Sequence, residues 1–234
     1  MGKRLTRTDK HRLSRLAKRL RDWHVSAGRA LPWRDPTTPH YRAVCVEVLL
    51  QRTRAETVAA FYHDFFARYP SWEALDRAPV EDLEAALRPV GLWYRRARSL
   101  KGLASYAARL GGAFPDNRDE LERAPGIGQY IASAILLFHH GRREPLLDVN
   151  MARIIERAVR PRRLADIRHD PWLQEAARWL LRRGDPKATN WAVLDLGAAF
   201  CRARNPTCAT CPAAQTCTIG RHEKVDSIRS NVAR

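Results

Sequence analysis

The chain has 234 residues, 45% of them hydrophobic, which argues against a disordered protein and leaves room for one large domain or two small ones sharing a core. Its 42 Lys and Arg outnumber 25 Asp and Glu and leave a formal charge of +17. An excess of that size suits a polyanionic partner, because each neutralised phosphate releases condensed counterions. No stretch approaches a transmembrane helix in length, so a protein of the cytoplasm or nucleoid with no membrane partner is expected.

Helical periodicity dominates along the chain and strand alternation is almost absent. The opening "KRLTRTDKHRLSRLAKRLR" is Arg-rich like a transit peptide. It contains acids, however, and Leu13, Leu16 and Leu20 recur at helical spacing, so a basic amphipathic helix is expected. "YRAVCVEVLLQRTRAETVAAFYHDFFARYP" holds two helices, one on each side of "QRTR". In "SWEALDRAPVEDLEAALRPVG" Ser71 can cap one short helix, and Pro79 can open the next at its first position. "RRARSLKGLASYAARLGG" stops at Gly111 and Gly112. "NRDELERAPGIGQYIASAILLFHHG" reads as helix, tight turn, helix. "DVNMARIIERAV", "PWLQEAARWLLRRG" and "NWAVLDLGAAFC" complete the series, so the expected class is all-α.

Four stretches carry chemistry. Cys201, Cys208, Cys211 and Cys217 are spaced C-x6-C-x2-C-x5-C, close enough for four thiolates to wrap one metal centre. Two closely spaced pairs are the commoner zinc pattern, so this spacing favours a [4Fe–4S] cluster, with zinc as the competitor. Cys45 lies in an apolar run and reads as core. In "APGIGQYIASAILL", Gly126 and Gly128 let the backbone approach a phosphate, while the following helix offers unpaired N–H groups and its positive end. Asp148 in "LLDVNMARIIERAV" reads both as a helix N-cap and as a rigid, ionised carboxylate. Glu47 is set among valines and leucines in "AVCVEVLLQRT", where a carboxyl is expected to titrate high and can act as a proton donor.

These segments also resemble a known family. The cysteine spacing after "LDLGAAF" resembles the C-terminal cluster of the endonuclease III and MutY branch of the helix-hairpin-helix (HhH-GPD) DNA glycosylases. "LERAPGIGQYIA" is similar to the superfamily's L-P-G-x-G hairpin, with Ala124 where leucine is usual. "EVLLQRT" resembles the MutY segment E-x-M-L-Q-Q-T, and "PVGLWYRRARSL" a DNA-wedging loop. "LPWRDPTTPHY" looks like the MutY-type P-W-R-x4-P-Y segment, with His40 inserted before Tyr41. Together the five motifs span about residues 15 to 220.

The resemblance implies two helical lobes with the active site in the cleft between them. Residues 38–142 would form a six-helix barrel carrying the hairpin, residues 1–37 and 143–221 an iron–sulfur domain, and residues 222–234 a basic tail. It makes Asp148 the catalytic aspartate that stabilises an oxocarbenium-like sugar, with Asn150 organising the site. Glu47 protonates the departing base in MutY; for thymine it would position water or the base instead. Gln51, one helical turn after Glu47 and on the same face, would reach into the duplex beside Arg52. Leu92, Trp93 and Tyr94 would wedge the stack or line the pocket, and Pro125, Gly126, Ile127, Gly128 and Gln129 would hold the phosphate backbone.

Bifunctional members carry a lysine where this sequence has Tyr130. A phenol forms no Schiff base, so hydrolysis of the N-glycosidic bond without strong strand-cleaving lyase activity is expected. The expected partner is double-stranded DNA with a mismatched or damaged base, bound by a monomer. Gln51-Arg52 stands between the Gln-Gln of MutY and the Arg-Arg of mismatch thymine enzymes. MutY enzymes usually continue into a domain for 8-oxoguanine, whereas this sequence ends at Arg234. Thymine or uracil opposite guanine is therefore the first reading, and adenine opposite guanine or 8-oxoguanine the second. A non-catalytic DNA-binding iron–sulfur protein is the third, and the presence of both carboxylates speaks against it.

Overall fold

The computed structural model describes residues 4–124 and 126–220, and among them every regular element is an α-helix or a short 3-10 turn. In chain order the helices are α1 (Arg7–Ala27), α2 (His40–Leu49), α3 (Ala55–Arg68), α4 (Trp72–Arg77), α5 (Val80–Leu87), α6 (Trp93–Arg109), α7 (Arg118–Arg123), α8 (Gln129–Phe138), α9 (Val149–Ala158), α10 (Pro171–Leu180) and α11 (Pro186–Ala199). They group into two compact units, Ala30–Arg142 and Met1–Arg29 with Arg143–Arg234. The basic tail expected at residues 222–234 lies outside the described residues.

The unit built from both ends of the chain packs α1 against α9, α10 and α11. A capping box starts α1: Thr6 Oγ1 accepts from the Asp9 N–H at 3.0 Å, and Asp9 Oδ2 accepts from the Thr6 N–H at 3.1 Å. Asp9 Oδ2 also accepts from the Trp172 indole at 3.2 Å, which joins the first turn of α1 to α10. Leu13, Leu16 and Leu20 form the buried stripe that their spacing predicts. Burying each contributes about 2 kcal/mol, so it is this apolar stripe that anchors an otherwise strongly basic helix.

The other unit is centred on α2 and α8, which pack on each other and are apolar on nearly every side. That is the pattern of helices enclosed by neighbours rather than laid on a surface. Around them, α4 and α5 pack on α6, with Ser71 capping α4 by accepting from the Ala74 N–H at 3.3 Å. Pro79 takes the N-cap of α5 rather than its first turn. The Gly111–Gly112 stop holds: Gly112, at φ +81°, closes α6 with an N–H bond to Ala107 O at 2.8 Å. Cys45 is fully buried, and burial pushes its thiol well above the usual range, as befits an inert core residue.

Candidate functional site

In the unit of Ala30–Arg142, α2 carries Glu47 on its third turn and α8 carries Tyr130 on its first. The packing of the two helices brings together residues 83 apart in sequence: the Tyr130 hydroxyl donates to Glu47 Oε2 at 2.7 Å. Glu47 is 2% exposed, so the phenol meets a buried carboxyl. A carboxyl in such surroundings needs hydrogen-bond partners in either protonation state, and Tyr130 supplies one.

Gln51 lies just past the end of α2. Helix α2 ends at Leu49 with Leu50 as its C-cap, and Gln51 and Arg52 lie exposed in the turn beyond, Arg52 at φ +60°. Leu92, Trp93 and Tyr94 are 44%, 37% and 47% exposed, a run of large apolar groups held out of the core. Arg88 stacks 5.6 Å from the Trp93 ring and Arg98 4.0 Å from the Tyr94 ring. Cationic groups on exposed aromatics suit a surface that meets phosphates and bases together.

At the hairpin, Gly126 adopts φ +82°, a conformation that side chains rarely take, and Gly128 is the N-cap of α8. A Cβ on Gly128 would meet nothing within 4 Å, so the space before the helix end is open. Ile127 is the exception in this motif, with its side chain buried and its N–H bonded to Ala124 O at 3.2 Å. Gln129 opens α8, and Pro125 lies outside the described residues.

In the terminal unit, Asp148 is the N-cap of α9, as expected from its sequence context. Its Oδ1 accepts from the N–H groups of Asn150 at 2.9 Å and Met151 at 2.8 Å, and its Oδ2 from Asn150 Nδ2 at 2.6 Å. That leaves Oδ2 one acceptor position. Burial raises the carboxyl above the usual aspartate range, and the hydrogen bonds from Met151 and Asn150 partly oppose the rise. Asn150 is held in turn by Arg153, which donates to its Oδ1 at 2.7 Å and to Cys201 O at 2.7 Å. Gly197 on α11 permits this approach, since a Cβ there would lie 3.1 Å from Asn150 Cβ.

The four cysteines follow α11: Cys208 opens a short 3-10 turn that Cys211 caps, Cys217 caps a second, and Cys201, Cys211 and Cys217 pack against the core of this unit. Donors converge on sulfur: Arg157 approaches Cys201 Sγ at 3.4 Å and the Gly220 N–H approaches Cys217 Sγ at 3.4 Å. Burial raises the Cys211 thiol, and the nearby Cys201 and Cys217 thiols raise it further. The chemistry of this donor set suits thiolate ligands. Among the described residues, however, no group of three or more His, Cys, Asp or Glu side chains has metal-holding geometry.

Arg96 and Arg153 lie within "PVGLWYRRARSL" and "LLDVNMARIIERAV" but were not singled out by sequence reasoning. Both are helical residues that also bond to distant segments, Arg96 to Gln51 and Arg153 to Cys201, and only a helix-by-helix packing scheme would have pointed to those contacts.

The sequence profile of the HhH-GPD superfamily base excision DNA repair proteins matches residues 45–167. The thymine-DNA glycosylase of Aeropyrum pernix is 38% identical over 215 residues, which cover 89% of this chain and 96% of the relative. The adenine DNA glycosylase of Mycobacterium tuberculosis is 33% identical over 192 residues, covering 81% of this chain and 63% of the relative. A solved thermostable thymine-DNA glycosylase superposes with a TM-score of 0.78 at 26% identity, covering 91% of this chain and 98% of that structure. A profile spanning the Glu47, hairpin and Asp148 segments, with the thymine-DNA glycosylase relative matched over 96% of its length, leads to one assignment: this chain belongs to the HhH-GPD superfamily of base excision DNA repair proteins.

Proposed function

We propose that this protein is a monofunctional DNA N-glycosylase that removes thymine or uracil opposite guanine by hydrolysis. The observation that carries the monofunctional reading is the Glu47–Tyr130 pair at 2.7 Å, with a phenol where a Schiff-base enzyme needs an amine. Lys101 is the one lysine of residues 30–142, and its ammonium is engaged by the carbonyls of Asp76 and Ala78. The choice of base rests on the thymine-DNA glycosylase relative, matched over 96% of its length. The second reading is adenine removal, favoured by Glu47 in its MutY-like segment and by the adenine glycosylase relative.

In this reading the basic surface and the α8 N-terminus dock the phosphate backbone without reading sequence. Leu92, Trp93, Tyr94 and Gln51 enter the stack as the target nucleotide leaves it. Glu47 and Tyr130 orient the extruded base. Asp148, fixed by its cap bonds and Asn150, stabilises positive charge on the sugar as the glycosidic bond breaks and water adds. We assign the hairpin-bearing unit as the barrel domain and the terminal unit as the cluster domain. A [4Fe–4S] cluster would be held by Cys201, Cys208, Cys211 and Cys217, supported by the N–H and guanidinium donors to sulfur. Its contribution would be to cross-link the loop after α11. The partner is mismatched duplex DNA bound by a monomer, which sets the protein to work at the nucleoid.

The test is a panel of duplexes carrying T·G, U·G, A·G and A·8-oxoG, analysed for strand breaks before and after alkali. Breaks in T·G and U·G strands that appear only after alkali are expected. Release confined to adenine would transfer the assignment to the second reading. Breaks before alkali, or a borohydride-trapped adduct, would remove the monofunctional assignment.

A further inference from the structure

Arg96 is 3% exposed, and in the structure its guanidinium bridges two separate loops. One terminal nitrogen donates to the carbonyls of Val90 and Gly91, in the loop that leads to Leu92. The other donates to Gln51 O at 2.5 Å and to Thr53 Oγ1 at 2.6 Å, in the turn after α2. The Thr53 hydroxyl then donates to Val90 O at 3.0 Å, closing the ring of contacts. Burying a guanidinium is costly unless its donors are met; the terminal nitrogens find four acceptors while the buried Nε finds none, and burial lowers the Arg96 pKa.

Both bridged loops are strained. Arg52 sits at φ +60° and Leu92 at φ +49°, and neither is glycine. A non-glycine residue in that region is strained, and persists where surrounding bonds over-determine it. The same two loops present the exposed side chains of Gln51 and Arg52 on one side and of Leu92, Trp93 and Tyr94 on the other.

We propose that Arg96 is the positioning residue that fixes the Gln51 turn and the Leu92 loop at a set separation, so that both enter the duplex as one rigid wedge. The inference rests on the glycosylase reading above and adds to it the element that pre-organises base extrusion. A wedge held before binding loses little conformational freedom on insertion, so more of the contact energy goes into opening the base pair. Arginine suits the task because its planar fork meets four acceptors at once, whereas a lysine ammonium has three donors on a shorter reach.

The test compares wild type with Arg96→Lys, and with Thr53→Val as a milder variant that keeps side-chain shape and removes one hydroxyl. Each is measured in single turnover on a mismatched duplex and on one whose target faces an abasic analogue, where no opposing base must be wedged apart. Melting temperature and affinity for undamaged duplex are measured alongside. Misplacement of a positioned group by about 1 Å costs on the order of 100-fold, and a loss approaching this is expected for Arg96→Lys on the mismatch. Thr53→Val should show a smaller loss, and both variants should stay within about three-fold of wild type on the abasic-facing target, on the same scale. An equal loss on both duplexes, or no loss on either, would overturn the proposal. Each comparison is run on T·G and on A·8-oxoG, so a wild type that releases only adenine corrects the base assignment while the Arg96 ratio is read from the adenine substrate.

Discussion

At the residue scale, Asp148 carries two duties that pull in opposite directions. As an N-cap it satisfies the Asn150 and Met151 N–H groups, and as a partly buried carboxylate it lacks the solvation its charge would have in water. Its folded pKa lies above the unfolded value, so the folded protein binds that proton more readily. Its charge therefore costs stability at neutral pH, and the cost fades as pH falls through the folded pKa. Asp148→Asn should abolish base release while mismatch binding persists, with a melting temperature at pH 7 equal to or above wild type, since asparagine also caps helices. Turnover retained in this variant would remove Asp148 from the chemistry. The acid limb of the wild-type rate should fall above the ordinary aspartate range, and an acid limb at or below that range would contradict the role of burial.

At the element scale, α8 does two jobs from one end. Its first turn presents Tyr130 to Glu47, and its N-terminus faces open space behind Gly128. The turn that feeds it depends on Gly126 at φ +82°, where an added Cβ would be 3.8 Å from Ser99 O and meet no clash. Gly126→Ala should therefore destabilise through backbone strain alone, by about 1–2 kcal/mol. Because phosphate contacts carry no sequence information, the variant should bind matched and mismatched duplexes more weakly by the same factor. Titration of both duplexes at several salt concentrations checks this, and a loss confined to the mismatch would show that the turn reads the lesion rather than the backbone. The helices themselves were legible in the chain, as were the caps at Ser71 and Asp148, because periodicity and capping act within a few residues. The break at "QRTR" was legible as well, since α2 ends at Leu49 and α3 begins at Ala55, but the left-handed turn at Arg52 within it was not.

At the scale of the whole molecule, two features bear on function: the +17 charge and the cysteine loop that closes the terminal unit. The loop is tied to α9 through Arg153 and Arg157, which bond to Cys201 O and Cys201 Sγ. A cluster there would stabilise the helix that Asp148 caps, since a bound centre strengthens only the folded form. The purified protein should be brown, with a broad visible charge-transfer band and equal amounts of iron and sulfide. A colourless protein containing zinc would replace the cluster by the competing tetrahedral site.

The sequence by itself determined the helical class, the identity of the chemical groups and the family, because periodicity, capping and motif spacing are written over short stretches of chain. Only the tertiary structure decided which of those groups meet. Glu47 finds Tyr130 across 83 residues, and Arg96 finds Gln51 across 45. Contacts of that kind follow from how α2, α6 and α8 pack, and no local pattern encodes a partner so distant. The same packing leaves Leu92, Trp93 and Tyr94 in solvent, where composition alone would have sent them to the core.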